Sequence, residues 1–183
     1  MAVDYPCDLF NRTGIIGMTK RARLSLLFAA GAAFAGAVSL AQAQVPIPPV
    51  PPTPPKPPFA SPQDVIAARR AAMKTEGGLM QAMGKALQAG EDPAGFAPDA
   101  QWIADWAKQM PAMFPPGSDT GDTKALPAIW SEKSTFDQRA ADTAAAAAKL
   151  AQLAADKDTA GFAAQLKVLG GTCGACHRPF KST

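Results

Sequence analysis

Histidine is nearly missing from this 183-residue chain, which holds one, beside three cysteines and one tyrosine. A site built on several imidazoles is excluded. Aromatic residues make up only 7%, and β-branched residues are scarce, so a sheet has little to build with. Positive charge is also thin. Lys and Arg number 18 against 15 Asp and Glu, for a net charge of +3. Arg12, Lys20, Arg21 and Arg23, against Asp4 and Asp8, precede residue 44. The remainder is close to neutral and carries none of the clustered basic charge that nucleic-acid binding needs. No spare histidine and no acid pair at a useful spacing suggest catalytic machinery, so the expectation is not an enzyme.

What the chain does have begins with a leader. "MTKRARLSLLFAAGAAFAGAVSLAQAQ" spans 18–44. A basic start leads into an apolar stretch at 24–40 and then Ala41-Gln42-Ala43, the small-x-small pattern of a signal-peptidase site. The expected cut lies between Ala43 and Gln44, sending the chain to the periplasm with no membrane span left after cleavage. The alternative is an uncleaved anchor, since the apolar run is near the lower limit for a spanning helix. Residues 1–17 fit poorly before such a leader, and Met18 is a second candidate start. Cys7 would leave with this segment. The expected organisation is 1–43 extension and signal peptide, 44–61 linker, and 62–183 a single domain.

"VPIPPVPPTPPKPPFASP" (45–62) cannot be a helix or a central strand. It reads as an extended polyproline spacer, with a docking role the less favoured alternative. Ser61-Pro62-Gln63-Asp64 then opens a helix over about 62–89, with a capping serine, a proline suited to the first turn and an early acid. Ile66, Met73, Met80 and Leu87 recur along one apolar face, and Gly90 stops it. Further helices are expected over about 99–110, 132–156 and 158–179, with a long turn-rich connection at 115–134. In the last helix Phe162, Leu166, Leu169, Cys173, Cys176 and Phe180 form a strict inner stripe. The fold class is all-α, an antiparallel four-helix bundle. Its stripes are rich in alanine and methionine, which predicts space in the middle that a bound group would fill.

Cys173-Gly174-Ala175-Cys176-His177 gathers two cysteines and the only histidine within five positions. This is the attachment pattern of c-type haem. Two thiols one helical turn apart can each add to a vinyl group on one porphyrin edge. The next residue then offers an imidazole to the iron, and small residues at 174 and 175 let the backbone lie close. A redox dithiol would need an αβ context. A zinc site would need about four ligands, and a disulfide within one helical turn is geometrically poor.

With "ARRAAMKTEGGLMQAM" (68–83), "GDTKALPAIWSEKSTF" (121–136) and "CGACHRPFK" (173–181), the chain over roughly 62–181 resembles the class II cytochromes c, the cytochrome c′ group, in particular its low-spin cytochrome c-556 branch. The resemblance implies a periplasmic electron carrier with one covalent haem c and iron, attached through Cys173 and Cys176, with His177 as proximal ligand. The family's arginine followed four residues later by methionine falls on Arg69 and Met73. Met73 is then the implied sixth ligand and Arg69 the partner of a haem propionate. Met80 and Met83 compete as ligands. An open distal face would instead make the protein a binder of nitric oxide or carbon monoxide. Redox partner proteins are expected, as is a homodimer through the first two helices. Lys181 would shield the proximal side or be solvated. Trp130 and Phe136 would pack in the core. Gly77-Gly78 and Gly170-Gly171 would mark close approach of backbone to haem or to a neighbouring helix.

Overall fold

The computed structural model describes residues 53–183. The leader, the cleavage site, Cys7 and the start of the proline-rich run lie outside them. Four long helices and one short helix follow: α1 Pro62–Ala89, α2 Ala97–Gln109, α3 Ala128–Ser131, α4 Lys133–Ala155 and α5 Thr159–Phe180. Short 3₁₀ turns flank α2 at Pro93–Phe96 and Met110–Met113. Among the described residues there is no strand and no helix long and apolar enough to cross a membrane.

The helix ends follow from local chemistry. Ser61 Oγ accepts from the Asp64 amide at 3.2 Å, which satisfies one of the orphan donors of the first turn of α1. Gly90 ends α1 at φ 74°. Glycine takes this left-handed conformation without a Cβ penalty, and the next amide, of Glu91, bonds Ala86 O at 3.0 Å. Asp158 caps α5 through the Gly161 amide at 2.8 Å. Sequence and structure agree on these boundaries to within about two residues; α3, inside the long connection, was not foreseen.

The closest helix pairing is α2 on α4. Ala100, Ala104 and Ala107 of α2 are fully buried, as are Ala147 and Ala154 of α4. Small residues at a crossing let helix axes approach toward the short end of the usual range. Where these alanines meet, the two backbones close up. At this one pairing the expected space is closed, because small side chains do not hold helices at a fixed spacing. Large side chains, including Trp106, Phe136 and Phe162, are buried in the core. Phe136 meets Phe114 and Phe180 edge-on, at 4.9 and 5.3 Å between ring centres. Trp130 is half-buried and donates its indole N–H to Phe114 O at 3.0 Å. Both aromatics pack as the sequence predicts.

The described part of the proline-rich run does not stand clear of the domain. Pro54 and Pro55 are half-buried and, with Thr53, line a groove with Ala68, Ala72 and Trp102 on the α1–α2 side, while Phe59 packs on the core. A spacer reading treats proline only as a stiffener; proline rings also bury apolar surface where an alanine-lined face and an indole offer it. The segment covers part of the face through which pairing was expected.

Candidate haem site

Cys173 and Cys176 are buried on the inner stripe of α5 and form no disulfide among the described residues. His177 follows, half-buried. Cys173 Sγ lies 3.8 Å from Glu76 Oε1 on α1. The Cys176 thiol is pushed up to about 11, first by burial, then by the negative charge of Glu76, with Arg139 pulling the other way. The Cys176 thiol therefore stays protonated and apolar in character at neutral pH.

Loop contacts set how α1 and α5 lie against each other. Ala125 pairs with Lys181 in an isolated antiparallel bridge, and the Leu126 amide bonds Phe180 O at 3.0 Å. Two residues before Ala125, Thr123 Oγ1 accepts from Arg69 Nη2 at 2.8 Å. The start of α1 thus sits level with the end of α5, while Glu76 sits level with Cys173. The two helices run antiparallel. Met73, one turn before Glu76, lies toward the His177 end; Met80 and Met83 lie one and two turns the other way. Met73 is half-buried against the core, and Met80 and Met83 are buried. Along this seam α1 meets α5 more sparsely than α2 meets α4. The buried thiols, the imidazole and the inward methionines together fit a covalently held haem.

Arg69 is only 3% exposed, and its partners are in the 113–123 loop. Nη1 donates to Met113 O at 3.2 Å and Ser118 Oγ at 2.8 Å; Nη2 donates to Ser118 O at 2.6 Å and Thr123 Oγ1. The Phe114 ring lies 4.3 Å from the guanidinium carbon. Burial lowers its titration to about 10. The role foreseen for Arg69, pairing with a propionate, thus meets a rival: most of its donors organise a loop. A Cβ on Gly78 or Gly171 would meet nothing within 4 Å, so close approach of a neighbouring helix is not their reason. Lys181 is exposed and helps tie the end of α5 to the loop.

Sequence reasoning missed Glu76 and the pair Ser118 and Thr123. Glu76 had a signal: it is a charged residue on the stripe that Arg69, Met73, Met80 and Met83 define. Ser118 and Thr123 had none, since their role comes from a loop fold that no periodicity encodes.

Comparison with known proteins agrees with this geometry. Residues 64–181 match the family described as Cytochrome C′. Over 125 residues the chain is 38% identical to a cytochrome c′ of Pararhodospirillum photometricum, covering 67% of this chain and 99% of that one. It is 39% identical over 120 residues to a cytochrome c-556 of Agrobacterium tumefaciens, covering 63% and 95%. The solved cytochrome c prime from Shewanella frigidimarina superposes with a TM-score of 0.63 at 32% identity, over 69% of this chain and 100% of that chain. The chain belongs to the cytochrome c′ family of class II cytochromes, four-helix bundles that carry one covalent haem c, and it is a haem protein of the electron-transfer or gas-binding kind.

Proposed function

We propose that this chain is a periplasmic electron carrier whose haem is attached through Cys173 and Cys176 and whose iron is held by His177 and Met73. One observation carries the choice of Met73: the contact between Glu76 and Cys173 sets the register of α1 against α5. In that register Met73 is the inward methionine toward the His177 end, and Met80 and Met83 are displaced by further turns. Methionine–histidine ligation raises the reduction potential of haem iron. It keeps both oxidation states six-coordinate, so electron transfer needs little rearrangement. The leader at 18–44 supports export, and the partners are redox proteins.

The second reading is a five-coordinate protein that binds nitric oxide or carbon monoxide at an open distal face. It is favoured by the relatives named cytochrome c′, whereas those named cytochrome c-556 stand beside the first reading. The ferric absorption spectrum separates them. A low-spin spectrum with a weak sulfur-to-iron charge-transfer band supports Met73, and Met73→Ala should then turn it high-spin. A Met73→Ala protein with the wild-type spectrum refutes the assignment.

A further inference from the structure

The inward stripe of α1 runs Arg69, Met73, Glu76, Met80, Met83, in steps of four and three. Among these Glu76 is chemically out of place. It is 7% exposed, so its charge is little screened by solvent. It lies 3.8 Å from Cys173 Sγ. The Cys173 sulfur would become a thioether in the haem-loaded protein, which would put Glu76 beside the porphyrin edge held there.

We propose that Glu76 is a residue of the haem site, an anion at the thioether edge that stabilises ferric over ferrous iron and so lowers the reduction potential. Ferric haem carries one positive charge more than ferrous haem, and a nearby anion favours the more positive state. Burial weakens solvent screening, which makes charge near the macrocycle one of the levers by which a protein sets potential. The step itself balances simply. Iron takes one electron from a reduced partner protein and later gives it to an oxidised one, with no bond made or broken. The inference rests on the haem-carrier reading but not on Met73 as ligand.

The test is a potentiometric titration at neutral pH of the haem-loaded wild type, Glu76→Gln and Glu76→Asp. Removing the charge in Glu76→Gln should raise the midpoint, lowering the ferric-to-ferrous ratio at a fixed ambient potential by roughly tenfold, the scale for a buried unit charge near the iron. Glu76→Asp keeps the charge and should stay near wild type. All three should show the same ferric spin state. An unshifted midpoint in Glu76→Gln overturns the proposal. So does a shift accompanied by a change of spin state, which would make Glu76 a support of iron ligation instead. If Glu76→Gln takes up no haem while Glu76→Asp does, Glu76 serves attachment or folding and the tuning role is refuted. None of these outcomes depends on whether Met73→Ala turns high-spin, so the two readings fail separately.

Discussion

Replacing Arg69 tests what holds the long loop over the bundle. Four hydrogen bonds run from its guanidinium to Met113, Ser118 and Thr123. Hydrogen bonds from a charged donor contribute about 1.5 kcal/mol or more each, so the gross loss in Arg69→Ala is ~6 kcal/mol. Against this stands the cost of burying the cation. Its titration falls from 12.5 to about 10, which is worth ~3 kcal/mol recovered when the charge is removed. The net expected loss is ~3 kcal/mol, a large share of a domain's total stability. Ser118, 0% exposed, would be left with unsatisfied groups. Urea unfolding of the haem-loaded protein, followed by far-UV circular dichroism, reads the loss. Limited proteolysis should cut first within 115–124. Arg69→Lys should recover less than half of the stability, because an ammonium lacks the planar fork that reaches several acceptors at once. A Lys variant as stable as wild type, with the loop equally protected, would refute the idea that the fork organises the loop.

Two other substitutions probe the core. Ala147 of α4 is 0% exposed, and Ala147→Leu should cost at least 1–3 kcal/mol by overpacking, seen as a lower urea midpoint; an unchanged midpoint would mean that close helix approach does not depend on the small side chain. Asp99 of α2 is 3% exposed with no hydrogen-bond partner for Oδ2 among the described residues, and burial raises its pKa above the ordinary 3.8. Its neutral form is the one the fold favours, so stability present at low pH is lost as pH rises from 3.8 through the raised value. Asp99→Asn should therefore be more stable than wild type at pH 7 by ~1 kcal/mol, with the gap closing as pH falls toward 3.8; a gap that is constant with pH would show that the charge is not the cause.

The periodicity of apolar residues, the serine and aspartate caps and the stop at Gly90 are local features, and each of the four long helices was legible from them. So was the attachment motif, because two thiols and an imidazole within five consecutive residues need no tertiary partner to be recognised. Other properties depend on which residues meet across the bundle. Met73, Met80 and Met83 all lie on one face of α1, and periodicity cannot tell which lies toward the His177 end; the register marked by the contact between Glu76 and Cys173 puts Met73 there. Arg69 was expected at a propionate, and its loop partners lie 44 to 54 positions away in sequence. The alanine stripes read as room for a filler, yet α2 and α4 close upon one another. Helix period and motif spacing are short-range properties of the chain, and sequence alone determined them. The register between antiparallel helices, the loop wrapped on Arg69 and the distance between helix axes arise from packing among distant residues, so only the tertiary structure decided them.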